Sequence, residues 1–217
     1  EWEDLREHAS RIKEHTATHL VDYLEQFSNS LERNGVIVHF AKDAQEFNEM
    51  VYGILESHKV KKLVKSKSML TEECEMNPYL IKRGINVVES DLGERILQLM
   101  HLKPAHIVMP AIHLTRDEIG EMFEEKGISK EKGNHDPTYL TRCAREDLRG
   151  DFMDADAGLT GCNFGVAATG DCVVCTNEGN ADMSTSVPKL HIVAMGIEKV
   201  IPDYDSLAVF QRLLARS

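Results

Sequence analysis

The sequence has no long hydrophobic run and no excess of basic residues. Its longest apolar stretches have the length of a β-strand, far below the ~20 residues that a membrane-spanning helix needs, so we expect no membrane span. The formal net charge is −11, and the one basic cluster, Lys59–Lys67, is short and interrupted by strand-forming residues. Because nucleic-acid binding needs a clustered basic surface, the composition argues against a nucleic-acid partner.

Cysteines are also few, and they follow no disulfide framework. There are five, an odd number, and no export signal precedes them, which predicts reduced thiols in the cytosol. Cys172 and Cys175 form a CxxC pair within a predicted strand, where residues three apart point to opposite faces, so we interpret both as small buried hydrophobic residues. We expect no zinc or iron–sulfur site, and we interpret His8, His15 and His19 as surface residues of a helix.

Short β-branched runs alternate with amphipathic helical patterns over residues 36–127, which is typical of βαβ units on a parallel sheet. One long helix, Trp2–Arg33, is predicted before them as an N-terminal arm over residues 1–34. The predicted strands are Val36–Phe40, Val60–Lys65, Ile85–Val88, Ala105–Met109 and Leu190–Met195, and the predicted helices are Asp43–Ser57, Thr71–Lys82, Asp91–Met100, Thr115–Gly127, Pro137–Met153 and Ser206–Leu214. Glycine-rich hairpins after residue 154 complete one α/β domain over residues 35–217. The first residue, Glu1, predicts a piece of a longer protein.

Polar residues follow two of the predicted strands, at the edge where open parallel sheets bind ligands. Lys65, Ser66, Lys67 and Ser68 come after one strand and before a helix, and this set suits a carboxylate or phosphate. The other interpretation is a solvated loop, since neither GxGxxG nor GxxxxGK[ST] occurs. Glu89 follows the next strand, and a lysine–carboxylate pair there is expected to lower the pKa of the carboxylate.

The turn Thr176–Asn180 combines a strand end with one carboxylate and two amides. An Asx-rich turn accounts for its Asn and Gly residues but not for Glu178. Asn163 lies in a similar turn, and His113 follows the fourth predicted strand. We therefore predict a pocket in which Asn163 and Asn180 join the lysine loop, with Glu178 and His113 as candidate bases.

Several stretches of the sequence resemble the lactate utilization protein B family, whose domain is called the LUD domain. They cover nearly the whole chain in order: Val64–Met69, Thr71–Glu73, Val88–Glu94, His106–His113, Ala157–Gly161, Asn163–Phe164, Thr176–Asn180 and His191–Lys199. The resemblance implies a three-layer α/β fold with a mostly parallel sheet and flanking helices, similar to the sugar-isomerase and CoA-transferase group. The chain departs from the family's Ala-Glu-Thr-Gly-Thr at Ala167–Asp171, so a carboxylate at position 168 is lost or moved to Asp171.

The resemblance also implies a part in the oxidation of L-lactate to pyruvate by a three-protein cytoplasmic oxidoreductase system. In such proteins an electron-carrying region lies C-terminal to this domain, so 4Fe–4S clusters are expected there and no cofactor within these 217 residues. The expected partners are the other subunits and a small anion, lactate-like or phosphate-containing. Two alternatives stay open: acyl or CoA transfer with Glu178 as the nucleophile, and a docking module without catalysis.

Overall fold

A computed structural model describes residues 1–106 and 109–216, and the chain divides into two compact units. The first unit comprises Glu1–Lys42, Cys162–Cys175 and the chain from Val193 onwards. The second unit comprises Asp43–Gly161 and Thr176–Ile192. The predicted arm over residues 1–34 thus belongs to the first unit, and the proposed boundary at residue 35 stays a prediction.

Helices and strands alternate along most of the described chain. In chain order the elements are α1 (Trp2–Thr18), α2 (Leu20–Arg33), α3 (Ala44–Ser57), β1 (Lys62–Lys65), α4 (Met69–Glu73), α5 (Met76–Ile81), β2 (Asn86–Glu89), α6 (Leu92–Met100), α7 (Arg116–Glu125), α8 (Pro137–Met153), β3 (Ala157–Gly161), β4 (Phe164–Val166), β5 (Asp171–Val173), α9 (Asn180–Ser186), β6 (Leu190–Ala194), a 3-10 turn (Ile197–Lys199), β7 (Val200–Ile201) and α10 (Tyr204–Leu214).

A four-stranded parallel sheet in the order β2-β1-β3-β6 organises the second unit. The last two residues of β6 are grouped with the first unit. Strand β1 lies between β2 and β3, and its Leu63 and Val64 are buried together with Leu159 of β3. Such strands read as continuous apolar runs because both faces of a parallel sheet are covered. The predicted α/β class with a parallel sheet is confirmed.

The helix starts predicted at Asp43, Asp91 and Thr115 are confirmed by their caps, whereas the helix predicted to start at Thr71 begins at Met69. Asp43 accepts a hydrogen bond from the backbone of Glu46, and Asp91 accepts from the backbone of Gly93 and Glu94. Thr115 and Glu118 form the predicted capping box at α7. These side chains satisfy N–H groups that have no partner within the helix, so a local sequence signal is enough to place each start.

The first unit contains a small mixed sheet in the order β5-β4-β7. Strands β4 and β5 are antiparallel, whereas β4 and β7 are parallel. Gly170 turns the hairpin with a φ of +80°, and a Cβ there would lie 2.7 Å from the backbone N of Leu31. Only glycine fits this position, since both the conformation and the space exclude a side chain.

Two predicted helices are each interrupted. The pattern over Trp2–Arg33 is two helices with a non-helical residue, His19, between them, and the hydroxyls of Thr16 and Thr18 bond back to carbonyls one turn earlier. Such bonds compete with helix continuation. The helix predicted over Thr71–Lys82 is α4 and α5, because Pro78 has no N–H to continue the ladder and the chain turns before it.

Two predicted strands are not found in the described residues. Val36–Phe40 forms no strand, and Ile37 is 80% exposed, because no neighbouring strand pairs with this β-branched run. In the predicted strand Ala105–Met109, the described residues Ala105, His106 and Met109 form bends, while positions 107 and 108 lie outside the described residues.

The glycine-rich segment after residue 154 is not a series of hairpins. Its first strand, β3, joins the parallel sheet beside β1, and β4 with β5 makes the one hairpin seen in the described part of the segment. The turn Thr176–Asn180 follows β5 and leads into α9, so it is a strand-to-helix loop and not a hairpin tip.

Candidate functional site

A cavity of about 510 Å³ opens beyond the carboxyl ends of β1 and β2 in the second unit. Its lining comes from the loop after β1, the start of α6, the segment before α7 and the turn before α9: Lys67, Met69, Asp91, Gly93, Met109, Pro110, Ala111, Ile112, Asn177 and Glu178. Ligands of parallel α/β folds bind at this edge of the sheet. The cavity is therefore the candidate functional site.

Lys65, the last residue of β1, lies inside the protein and not in the cavity lining. Its side chain is 0% exposed, and its Nζ donates to Glu89 at 2.9 and 3.1 Å and to Glu72 at 2.9 Å. The parallel register places Lys65 directly beside Glu89. A buried ammonium requires such partners, since an unpaired buried charge is very costly. Lys65 therefore neutralises a buried carboxylate and exposes no surface to a ligand.

The pKa of Glu89 is raised, which is opposite to the predicted direction. Burial disfavours its charged form more than the ammonium of Lys65 favours it, and the charge of Glu72 adds to the rise. Burial by itself would lower the pKa of Lys65, but the charges of Glu89 and Glu72 outweigh it and raise that pKa. The expected lysine–carboxylate pair is thus present, but desolvation and a second carboxylate reverse its effect on Glu89.

Lys67 is the residue of the predicted lysine loop that lines the cavity. Its side chain is partly exposed, and its Nζ lies 3.7 Å from Oε1 of Glu94. Ser66 and Ser68, on either side of it, are buried. The N–H of Ser66 donates to a β3 carbonyl at 2.9 Å, so the start of the loop continues the sheet. Of the four predicted residues, the fold brings Lys67 to the ligand-accessible surface.

Glu178 lines the cavity and contacts the start of α6. Its Oε2 accepts a hydrogen bond of 3.3 Å from the N–H of Leu92, the first residue of that helix. Partial burial raises the pKa of Glu178, and the charge of Asp91 raises it further, while Lys67 opposes the rise. A carboxylate with an elevated pKa is suited to exchange a proton with a bound ligand.

Asn180 is the first residue of α9 and does not line the cavity. Its Nδ2 donates to Oγ of Ser90 at 3.4 Å, and that hydroxyl donates in turn to the carbonyl of Lys65 at 2.9 Å. Ser90 is buried and links the ends of β1 and β2 to α9. Asn180 thus ties the loop that carries Glu178 to the sheet. The sequence offered no signal for the role of Ser90, since a serine after a strand is common in any loop.

The remaining two predicted site residues are not among the residues of the cavity lining. His113 is exposed in the turn that follows Ile112. Asn163 belongs to the first unit, where its Oδ1 accepts a hydrogen bond of 2.8 Å from the backbone of Cys175 beyond the β4–β5 hairpin. Their roles as a catalytic and a ligand-binding residue stay predictions.

Asp171, at the position where the resemblance suggested a displaced carboxylate, is used within the first unit. Its Oδ2 accepts hydrogen bonds from the hydroxyls of Thr169 and Tyr204, the latter at 2.7 Å. These bonds lower the pKa of Asp171, so its carboxylate is held in the ionised form.

The apolar residues of the lining are the part that the sequence reasoning missed. Met109 and Ile112 are 53% and 58% exposed, and Met69 is 38% exposed. The sequence places Met109 in a predicted strand and Met69 beside a predicted helix, and both positions suggest a core residue. The sequence around these apolar residues gives no local sign of which of them the fold leaves at the surface.

In the described part of the chain, no group of three or more His, Cys, Asp or Glu residues could hold a metal ion. The prediction that Cys172 and Cys175 are buried is wrong, because Cys172 is half-buried and Cys175 is exposed after β5 ends. His8, His15 and His19 are exposed, as predicted.

Across residues 1–106 and 109–216, no helix is long and apolar enough to cross a membrane.

Comparison with known proteins extends over the whole chain. The chain is 48% identical over 217 residues to Lactate utilization protein B of Bacillus pumilus and covers 46% of that protein's length. It is 46% identical to the protein of the same name from Oceanobacillus iheyensis, of which it covers 45%. The chain therefore spans about half the length of these relatives. No solved structure matches it.

The chain also matches the model of a domain family. The description of that family is LUD domain, and it matches residues 24–217, which include both sheets and every residue of the cavity lining. On this match the chain belongs to the LUD domain family.

Proposed function

We propose that this chain is the LUD domain of a cytoplasmic system that oxidises L-lactate to pyruvate, and that its cavity binds the lactate carboxylate. The relatives named Lactate utilization protein B support the substrate. The observation that carries the proposal is the presence of Lys67 and Glu178 in one cavity at the carboxyl edge of the parallel sheet. The proposal includes the three-layer arrangement of the CoA-transferase-like group and the other subunits as partners.

In this proposal Lys67 holds the substrate and Glu178 takes a proton from it. The ammonium of Lys67 donates a charge-assisted hydrogen bond to the lactate carboxylate. Glu178, whose pKa is raised by burial, accepts a proton as the hydroxyl-bearing carbon is oxidised, and His113 is the second candidate base. The buried residues Lys65, Glu89, Ser66 and Ser68 support the conformation of this loop.

Oxidation of lactate to pyruvate releases two electrons and two protons, so an electron acceptor is required. The chain covers 46% of the length of its Bacillus pumilus relative. The proposal assigns the 4Fe–4S clusters to the part of the relatives that this chain does not span. The contribution of this chain is substrate binding and proton removal.

The first test is calorimetric titration of the protein with L-lactate. Lys67→Met is expected to weaken binding by about 10-fold or more, since a hydrogen bond to a charged group contributes about 1.5–3 kcal/mol. Lys126→Met, at the exposed end of α7, is the matched control and is expected to leave binding unchanged. Equal binding by the two variants would refute the site.

The second test separates proton removal from binding. Glu178→Gln is expected to keep L-lactate binding and to abolish lactate oxidation by the complete system. After incubation with an acyl-CoA, mass spectrometry is expected to show unmodified Glu178. A covalent adduct on that residue would replace the proposal with acyl transfer. A docking module without a ligand site would give a flat titration for every acid.

A further inference from the structure

The cavity is larger than lactate requires. Its volume is about 510 Å³, whereas lactate is a three-carbon acid. Cavities of ~300–1,000 Å³ are typical for ligands of drug size. If the carboxylate of lactate lies at Lys67, most of the cavity is left to solvent. The volume therefore suits an acid with a longer side chain.

One side of the cavity is an apolar wall formed by Met69 and the segment Met109–Ile112. Three large apolar side chains that the fold leaves exposed converge here, namely those of Met69, Met109 and Ile112. Single exposed apolar residues are ordinary, but a group around one cavity indicates a binding surface. Methionine side chains adapt to ligands of irregular shape.

The apolar wall is packed against the start of α6. A Cβ on Gly93 would lie 3.0 Å from Cγ of Pro110, so the absence of a side chain at Gly93 lets the wall approach the helix closely. The wall therefore lies next to the polar groups of the lining and is not a separate patch. A ligand whose head is held at these polar groups would place its body along the wall.

The polar groups of the lining gather around the α6 start, next to the wall. Asp91 Oδ1 accepts from the N–H of Gly93 at 3.1 Å, and Glu178 accepts from the N–H of Leu92 at 3.3 Å. The helix N-terminus thus compensates both carboxylates of the lining. Lys67 is the cationic side chain among the described lining residues, so it is the group that can pair with an acidic head group.

We infer that the cavity prefers 2-hydroxy acids whose side chain is larger than the methyl group of lactate, with the carboxylate at Lys67 and the side chain along the apolar wall. This inference rests on the proposed function for the acidic head group and adds the class of side chain. The expected ligand is a 2-hydroxy acid with an unbranched aliphatic or a benzyl side chain. The polar and apolar sides of one cavity together specify such an amphipathic acid.

The test is a calorimetric titration of the intact protein with a homologous series: L-lactate, L-2-hydroxybutanoate, L-2-hydroxyhexanoate, L-2-hydroxyoctanoate and L-3-phenyllactate. Full burial of a methylene strengthens binding about fourfold. Because the wall is partly open to solvent, we expect a gain of about twofold to fourfold per methylene.

Variants locate the gain. Met69→Ser and Ile112→Ser are expected to abolish the dependence on chain length, because both residues lie on the wall. Met153→Ser, equally exposed but at the end of α8, is the matched control and is expected to keep the dependence. All three positions are exposed, so the variants are expected to fold, which thermal unfolding checks.

The outcomes separate this inference from the proposed function. If L-lactate binds and longer acids gain nothing, the inference is overturned and the proposed function stands. If no acid of the series binds, both fail. A length dependence that survives in Met69→Ser and Ile112→Ser overturns the inference, because the side chain then lies elsewhere. Loss of partner-subunit binding in these variants, without any length dependence, assigns the wall to a partner and also overturns it.

Discussion

Replacing Lys65 with methionine is expected to destabilise the protein by about 3–5 kcal/mol, the range for breaking a buried ion pair by removing one partner. Methionine keeps most of the apolar stem but removes the ammonium. The ammonium makes two contacts with Glu89, at 2.9 and 3.1 Å, and one with Glu72 at 2.9 Å. Glu89 is 3% exposed, so its carboxylate would stay buried without a counter-charge.

Most of the expected loss comes from Glu89. Glu72 is about one-third exposed, and water can solvate it when the lysine is absent, so its share is about 1 kcal/mol or less. Glu89 keeps its hydrogen bond from Asn77 but no cation. The penalty is therefore that of a buried, incompletely compensated carboxylate, and it disappears if the carboxylate is also replaced.

A double-mutant cycle in urea tests this origin. The double variant Lys65→Met/Glu89→Gln is expected to be more stable than Lys65→Met, with a coupling free energy of about 2 kcal/mol. The control is Lys62→Met, on the same strand, whose Nζ pairs with Asp151 at 3.0 Å in a partly exposed position. That change is expected to cost about 1 kcal/mol or less.

The cost is also expected to depend on pH. Without Lys65, the pKa of Glu89 rises further above the value of about 4.3 in the unfolded chain. A carboxyl group whose pKa is higher in the folded protein than in the unfolded chain does not destabilise the fold at pH values below the unfolded pKa. As the pH rises through the folded pKa, the fold loses stability relative to the unfolded chain. The loss in Lys65→Met should therefore be larger at pH 8 than at about pH 4, below the unfolded pKa. Equal costs for Lys65→Met and Lys62→Met would refute the reasoning.

Two further predictions concern packing and charge elsewhere in the second unit. Gly158→Ala is expected to lower the free energy of unfolding in urea by about 3 kcal/mol, because a Cβ there would lie 1.8 Å from the carbonyl oxygen of Ser184. The control is Gly53→Ala, where a Cβ would meet nothing within 4 Å. Equal effects of the two changes would contradict the packing argument. His135 bonds Asp117 at 3.0 Å and Glu124 at 3.3 Å, and these bonds raise its pKa. Its stabilising effect is present below about pH 6.5 and is lost as pH rises through the folded pKa, so the stability difference between wild type and His135→Gln should shrink from pH 6 to pH 9. A difference independent of pH would contradict this assignment.

Local signals made the helices of the second unit predictable. Asp91, Thr115 with Glu118, and Pro137 mark helix starts through bonds or geometry within one turn of the chain. The same local reasoning failed where continuation was at issue. The pattern around Thr18 is helical throughout, yet hydroxyl bonds to the preceding turn accompany the end of α1, which an apolar period does not report.

The position of the candidate site followed from one general rule. Parallel strands place their carboxyl ends at one edge, and the loops after β1 and β2 were selected on that basis. The rule does not say which side chain of a loop faces a ligand. Lys65 and Lys67 look equivalent in the sequence, but one is fully buried and the other lines the cavity.

What the sequence determined by itself was the α/β class, the capped helices and the edge of the sheet that carries the site, since each depends on neighbours in the chain. The tertiary structure decided the rest. The register of β1 against β2 sets Lys65 beside Glu89, burial raises the pKa of Glu89 despite that lysine, and no residue near either one encodes the pairing. Val36–Phe40 has the composition of a strand but finds no strand to pair with. Burial and pairing are set by residues distant in the chain, and for that reason only the fold could distinguish the buried lysine from the accessible one.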